Sequence, residues 1–182
     1  ERLVINNPKA KTTRHSILGI LNGEAHQVVI RDTPGILEAK YKLQETMMHA
    51  VNEVLTDADV LLVMTELGRS PDKSEHVLWR ALKVDCPLIV LVNKIDTGDQ
   101  QGVALALQAW QAALPTAEVM PLSALHGFHI KELREKLIGL MPEHPAYFPK
   151  DELSDRDQRF FISEIIREQV MEHYRQELPY ST

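Results

Sequence analysis

The chain has 182 residues, with 26 acidic and 20 basic side chains, a formal net charge of −6 and 44% hydrophobic residues. These values fit one medium-sized domain, alone or with a small attachment, and argue against both a disordered tail and a surface that holds nucleic acid by bulk charge. The single cysteine, Cys86, excludes an internal disulfide and fits a reducing compartment, and no stretch reaches the roughly 18 apolar residues of a membrane span.

A hairpin is predicted near the start of the chain. The polar stretch 6–15 lacks apolar periodicity and is predicted to be a loop. The apolar segments 17–21 and 25–31 then flank Asn22 and Gly23, which form the strongest short hairpin signal. The second strand of this hairpin leads directly into the turn Asp32-Thr33-Pro34-Gly35.

This turn is a candidate phosphate and magnesium site, because ligands of parallel α/β sheets bind at the carboxyl ends of strands. Asp32 can hold Mg²⁺ through water, and the N–H of Gly35 can approach a terminal phosphate because glycine has no Cβ. Thr33 and Pro34 lie in the same turn and are predicted to contribute to the same binding site. Ile36 follows this turn and has no polar group that could orient an attacking water, so hydrolysis of a bound phosphate is expected to be slow or assisted by another group.

Two threonines in the predicted loop, Thr12 and Thr13, lie upstream of this turn. A threonine hydroxyl there can complete a Mg²⁺ shell only while a γ-phosphate is present, which would make the loop an order–disorder switch. The alternative is a solvated loop without such a role.

From residue 41 onward, strands and helices alternate. The pattern predicts helices at about 41–56, 74–84, 101–113 and 130–140, and strands at 60–64, 88–92 and 119–122. This alternation indicates an α/β fold, a three-layer parallel sheet with helices on both faces. Pro121 suits an edge strand because proline cannot donate a ladder hydrogen bond.

The composition changes after residue 141. Prolines at 142, 145 and 149 predict a stiff linker over 142–153, and Ser154 is expected to cap a helix over about 155–175, with Asp157 completing a capping box. One amphipathic helix cannot bury its apolar face alone, so residues 154–182 are predicted to begin a second small domain.

Two further loop motifs follow predicted strands and point to guanine recognition. In Asn93-Lys94-Ile95-Asp96, the Asp96 carboxylate can accept from both N1–H and the exocyclic amine of guanine, and such a site strongly rejects other bases. Asn93 would tie the base loops together, and the Lys94 stem would stack along the ring. In Ser123-Ala124-Leu125, the N–H of Ala124 would serve the guanine O6. The alternative for each motif is an ordinary polar turn.

These motifs resemble those of the Era family of bacterial GTPases. The resemblance extends over essentially the whole chain, through residues 9–15, 32–36, 93–96, 154–161, 164–168 and 177–181. It implies a P-loop GTPase-like, Ras-like G domain over 1–141, followed by a KH domain that binds the 3′ end of 16S ribosomal RNA. It further implies GTP and GDP with Mg²⁺, a role in assembly of the small ribosomal subunit, and a cytoplasmic protein that can associate with the inner face of the cell membrane.

The resemblance also implies roles for individual residues. Thr13 would be the switch threonine, Asp32 the water-mediated Mg²⁺ contact and Gly35 the γ-phosphate amide. Ile36 agrees with membership of the GTPases whose catalytic glutamine is replaced by a hydrophobic residue.

Two features depart from the family pattern. The phosphate loop G-x-x-x-x-G-K-S/T does not occur in the sequence, which opens at Glu1 without a signal peptide, and the KH-like segment stops before a G-x-x-G loop. Residues 143–182 also hold more acids than bases, which does not suit an RNA-binding surface. The chain is therefore expected to be the central piece of a longer Era protein and to bind GTP poorly alone.

Two other functions compete with this interpretation. A nucleotide-free interaction scaffold derived from a G domain is favoured by the absent phosphate loop, but it has no need of Asp96. A related tRNA-modification GTPase is disfavoured by the KH-like tail. The nucleotide interpretation requires Asp96 and Asp32 to share one cleft.

Overall fold

The structure, a computed structural model, describes residues 17–32, 56–71 and 85–173. Two compact units can be distinguished in it. We call residues 17–32 with 145–173 the hairpin unit, and residues 56–71 with 85–144 the sheet unit. The predicted boundary between a G domain and a KH domain stays a prediction.

The described elements agree in type with those predicted. In chain order they are β1 (Ile17–Asn22), β2 (Gln27–Asp32), β3 (Leu61–Glu66), β4 (Leu88–Asn93), a short 3₁₀ helix (Ile95–Thr97), α1 (Gln100–Ala113), β5 (Glu118–Pro121), α2 (Ile130–Leu140) and α3 (Gln158–His173). The predicted helices 41–56 and 74–84 lie outside the described residues, apart from Thr56, which is helical. Among the described helices, none combines the length and the apolar character of a bilayer-crossing segment.

The sheet unit is built around β4, whose apolar residues 88–92 are all buried. β3 and β5 flank this strand on either side, and both run parallel to it. An unbroken run of branched apolar residues is what a parallel strand covered on both faces requires. Pro121 pairs with Val92 at the end of β5, on the edge of the described sheet, which confirms its predicted edge position.

Helices cover both faces of this sheet. Successive residues of β4 point to opposite faces, so alternate side chains enter different cores. Val90 packs with Trp110 of α1 and with Leu114 on one face, whereas Ile89 packs with Leu137 of α2 on the other. The predicted three-layer α/β arrangement is thus confirmed for the sheet unit.

In the hairpin unit, β1 and β2 pair antiparallel, with Asn22 opposite Gln27. Gly23 N–H donates to the carbonyl of His26 at 2.9 Å and closes the turn. A Cβ atom on Gly23 would lie 2.1 Å from Cε1 of His26, so a larger residue at this position would displace the His26 ring. The predicted hairpin is confirmed, and its turn begins after Asn22, which remains part of the strand.

The proline-containing segment after residue 145 lies along β1. Ile20 N–H donates to the carbonyl of Leu153 at 2.9 Å, and Leu18 N–H donates to Oδ1 of Asp155 at 3.1 Å. Ser154 and Gly19 form an antiparallel bridge between these two bonds. Backbone groups of β1 that would otherwise need water are therefore satisfied by this segment.

Gln27 attaches the same segment to the hairpin through its side-chain amide. Its Oε1 accepts from the N–H groups of Tyr147 and Phe148 at 2.9 and 3.0 Å. Its Nε2 donates to the carbonyl of Phe148 at 2.9 Å and to Oδ1 of Asn22 at 2.7 Å. All four hydrogen-bonding positions of one amide are used, which holds two consecutive residues of the segment in one orientation.

The start of α3 differs from the prediction. The helix begins at Gln158, and Oδ1 of Asp157 accepts from the N–H of Phe160 at 2.8 Å, which is the geometry of an N-cap. The predicted Ser154 cap is wrong, because Ser154 lies three residues too early and pairs with Gly19 instead.

Replacing Gln27 with leucine should loosen residues 147 and 148 from the hairpin. Each amide loses a hydrogen bond of roughly 1 kcal/mol, so its hydrogen exchange should become about fivefold to tenfold faster. Amide exchange followed by NMR measures this directly. Gln111→Leu is the control, because Gln111 donates to Pro115 and Ala117 in the sheet unit. Unchanged exchange at Tyr147 and Phe148 would show that Gln27 does not hold the segment.

Candidate functional site

Three loops meet at the carboxyl edge of the sheet unit. They follow β3, β4 and β5, and because these strands are parallel their carboxyl ends lie on the same side of the sheet. In parallel α/β sheets this is the edge where ligands bind. Asn93 ends β4, the loop after it carries Lys94 and Asp96, and the loop after β5 carries Ser123, Ala124 and Leu125.

Asn93 connects all three loops. Its side-chain Oδ1 accepts from the N–H of Lys94 at 2.8 Å and from the N–H of Ala124 at 3.0 Å. Its backbone carbonyl accepts from the N–H of Leu67, in the turn after β3, at 2.9 Å. Asn93 thus joins the loops that follow β3, β4 and β5. A guanine O6 would have to share the Ala124 N–H with Asn93.

Lys94 adopts a left-handed backbone conformation, with φ 59° and ψ 32°. Non-glycine residues rarely adopt it, and such strain persists only where the surroundings enforce it. The Asn93 side chain holds the Lys94 N–H, and the Lys94 carbonyl accepts from Oγ1 of Thr97 at 2.7 Å. This conformation turns the chain into the short 3₁₀ helix that presents Asp96.

Asp96 and Ser123 form the centre of the site. Ser123 is buried, with 2% of its surface exposed, and its hydroxyl donates to Oδ1 of Asp96. This hydrogen bond is the main cause that lowers the pKa of the Asp96 carboxyl below its ordinary value. His126 Nε2 lies 3.8 Å from Oδ2 of Asp96. The carboxylate is therefore ionised at neutral pH and partly accessible, with 26% of its side-chain surface exposed.

The loop after β5 is held in shape by its own backbone. Ser123 and Phe128 exchange two backbone hydrogen bonds, at 3.0 and 3.3 Å, across a tight turn. Gly127 occupies the left-handed region with φ 71°, which glycine tolerates without strain. Leu125 lies at the tip of this turn and is 83% exposed.

Sequence reasoning missed a further acidic residue at this edge, Glu66. It ends β3, and its carboxylate contacts Nζ of Lys94 and, at 3.3 Å, Nε of Arg69. Its pKa is lowered, first by the hydrogen bond from Lys94 and then by the Lys94 charge. The sequence did contain a signal for Glu66, because an acidic residue directly after an apolar run lies at the carboxyl end of a strand. Ligands of parallel sheets bind at these strand ends.

The other predicted site residues are placed differently. Asp32 ends β2, opposite Ile17, and belongs to the hairpin unit. The predicted cleft shared by Asp32 and Asp96 therefore stays a prediction. Five predicted residues lie outside the described parts of the chain: Thr13, Thr33, Pro34, Gly35 and Ile36.

The arrangement around Asp96 fits the base of a guanine nucleotide. Guanine presents two neighbouring N–H donors, and an ionised carboxylate is the side chain that accepts from both. A hydroxyl fixes one oxygen of Asp96, which orients the carboxylate before any ligand binds. Preorganisation of this kind lowers the entropic cost of binding.

Comparison with known proteins shows that this chain is similar to GTPases over nearly its whole length. The sequence profile of the elongation factor Tu GTP binding domain matches residues 8–143. GTPase Era of Clostridium beijerinckii is 35% identical over 181 residues, which are 99% of this chain and 61% of that protein. The chloroplastic GTPase ERA1 of Zea mays is 34% identical over 185 residues, which are 100% of this chain and 44% of that protein. The chain thus spans about half the length of the curated relatives it matches.

Two solved structures are similar to the fold. One is Era in complex with MgGDPNP and nucleotides 1506–1542 of 16S ribosomal RNA, and the other is a tyrosine-to-alanine variant of Aquifex aeolicus Era bound to GDP and AlF4⁻. Each has a TM-score of 0.86 and 32% identity, and the match covers 96% of this chain and 60% of the other. The fold is thus that of a P-loop GTPase G domain, and the chain belongs to the elongation factor Tu-type GTP-binding domain family and, within it, to the Era GTPases.

Proposed function

We propose that the protein binds GTP and GDP at the carboxyl edge of the sheet unit and hydrolyses GTP. The observation that carries this proposal is the ionised Asp96 carboxylate, oriented by Ser123 beside a loop that Asn93 holds in place. A scaffold that binds no nucleotide does not require a lysine with a left-handed backbone and an oriented carboxylate at a sheet edge. The scaffold alternative gains no comparable support from the described residues.

The phosphate side of the site belongs to the same proposal. Thr13 and Asp32 would hold Mg²⁺, and the N–H of Gly35, in the turn with Thr33 and Pro34, would contact the terminal phosphate. Bound Mg²⁺ would neutralise charge on the phosphate oxygens. Ile36 has no polar group, so it cannot orient the attacking water, and another group must do so.

We further propose that the protein acts on the small ribosomal subunit. Era, at 32% identity, has been crystallised with nucleotides 1506–1542 of 16S ribosomal RNA. A KH-type RNA-binding segment after residue 154, a role in subunit assembly, a cytoplasmic location and peripheral contact with the inner membrane are parts of this proposal.

Asp96→Asn should exchange the base preference from guanine to xanthine. In the variant the amide oxygen keeps one of the two hydrogen bonds without the charge, while the amide NH2 faces the second N–H donor of guanine, so GTP affinity should fall about 100-fold or more. The new amide can donate to the extra carbonyl of xanthine, so xanthosine triphosphate should bind better. Competition titrations measure both affinities.

Asp99→Asn is the matched control for this substitution. Asp99 caps α1 by accepting from Gly102 N–H at 2.7 Å, and asparagine is an equally good N-cap. GTP preference should therefore survive in this variant. Unchanged GTP preference in Asp96→Asn would remove Asp96 from its assigned role.

Guanine affinity should depend on pH through Asp96. The carboxylate accepts only when ionised, so GDP affinity should be constant near neutral pH and fall as the pH drops through the Asp96 pKa. Ser123→Ala removes the main cause of the lowered pKa, so the fall should begin at higher pH. GDP titrations across pH, with ¹³C NMR of the Asp96 carboxyl, measure both. The control is Ser163→Ala, which removes a hydroxyl that donates to the carbonyl of Phe160 in α3. This variant should show the same dependence of GDP affinity on pH as the unsubstituted protein. If Ser123→Ala and Ser163→Ala gave identical pH dependences, the role of Ser123 would be refuted.

The ribosomal proposal predicts binding to an RNA that carries the 3′ end of 16S ribosomal RNA. Fluorescence anisotropy with this RNA and with a scrambled RNA of equal length separates sequence-specific binding from charge. Affinity for the first should exceed that for the second at every salt concentration, because counterion release weakens both alike. Equal affinity for the two RNAs would count against the proposal.

A further inference from the structure

The turn after β3 supports the loop that carries Lys94 and Asp96. It comprises residues 66–69, closes with a hydrogen bond from Arg69 N–H to the Glu66 carbonyl at 3.1 Å, and contains none of the guanine motifs. Gly68 gives it a left-handed residue, with φ 90°. We call it the support turn.

The backbone and an apolar contact fix the two loops against each other. Leu67 N–H donates to the carbonyl of Asn93, and the Leu67 side chain fills the space beside Gly98. A Cβ atom on Gly98 would lie 2.4 Å from Cδ2 of Leu67. A larger residue at position 98 would therefore displace the Leu67 side chain.

The far end of the support turn is attached to the protein core. The indole N–H of Trp110 donates to the carbonyl of Arg69 at 3.2 Å, and Trp110 is 3% exposed. A buried tryptophan usually finds one partner for its N–H, and here that partner is this turn. The position of the support turn is thus set by α1 and not by solvent-exposed contacts alone.

Glu66 extends this support to the lysine side chain. One carboxylate oxygen contacts Nζ of Lys94, and the other lies 3.3 Å from Nε of Arg69. Glu66 is the more enclosed partner, with 37% of its side chain exposed against 60% for Lys94 and 70% for Arg69. A free lysine samples many rotamers, and this contact selects one before a nucleotide arrives.

We propose that Glu66 is a positioning residue for guanine nucleotide binding, acting through Lys94. It holds the lysine ammonium beside the end of β3, so that the base meets a lysine side chain already in place. This inference rests on the proposed guanine-nucleotide function. It assigns a binding role to the support turn, which the sequence motifs do not mark.

The test substitutes Glu66 with glutamine, which keeps the shape and removes the charge. Exposed ion pairs contribute little, so GDP affinity by isothermal titration should fall about twofold to fivefold. The matched control is Glu118→Gln. Glu118 pairs with Nζ of Lys136 at 2.8 Å, but it begins β5, at the opposite end of the strand from the site. Its loss should leave GDP affinity unchanged.

A double-mutant cycle separates positioning from a general structural effect. If Glu66 acts through Lys94, the loss caused by Glu66→Gln should disappear in a Lys94→Met background. In the nucleotide-free protein, the NMR signals of the Lys94 side chain should also shift on Glu66→Gln and stay unchanged on Glu118→Gln. Equal or tighter GDP binding by Glu66→Gln, or an undiminished loss in the Lys94→Met background, overturns the inference.

The two proposals fail in different ways. If the unsubstituted protein does not bind GDP, the proposed function is wrong and the role of Glu66 fails with it. If the unsubstituted protein and Glu66→Gln bind GDP equally, only the role of Glu66 is refuted.

Discussion

The side-chain oxygen of Asn93 makes the contacts on which the candidate site depends. It accepts from two backbone N–H groups, one in its own loop and one in the loop after β5. Through the first it supports the left-handed backbone of Lys94, and through the second it sets the distance between the loops that carry Asp96 and Ser123. Without this oxygen, two N–H groups would lose their partner and the strained turn would lose a contact that supports it.

This contact works because Asn93 ends the most buried strand of the sheet unit. β4 has helices packed on both faces, so the position of its last residue varies little. The carboxyl edge of the sheet unit therefore combines a rigid strand end with short loops whose polar groups hydrogen-bond to one another. Charge is added at the rim, where Glu66 and Asp96 both have lowered pKa values and remain ionised at neutral pH.

In the hairpin unit, the sequence pattern predicted the local structure correctly but not the long-range contacts. Asn22 and Gly23 predicted a hairpin, and the structure has one, closed by the hydrogen bond from Gly23 N–H to the His26 carbonyl. Nothing in the sequence indicated that Gln27 would bind Tyr147 and Phe148, since these residues lie about 120 positions away. The cap of α3 was misassigned for a related reason. Ser154 and Asp157 both have the chemistry of an N-cap, and the pairing of Ser154 with Gly19 left Asp157 to serve as the cap.

The sequence by itself determined the α/β class of the sheet unit, the positions of its strands and the placing of the motif Asn93-Lys94-Ile95-Asp96 at the end of β4. Hydrophobic periodicity and short motifs depend only on residues that are close together in the sequence, so they can be recognised without knowing the fold. Only the tertiary structure decided that Ser123 orients Asp96, that Glu66 holds Lys94, and which N–H groups Asn93 accepts from in its predicted role of joining loops. The side-chain contacts between these loops join residues that are 27 to 31 positions apart in the sequence. Such residues meet only because the order and register of the strands bring their ends together, and both are set by the packing of the whole sheet.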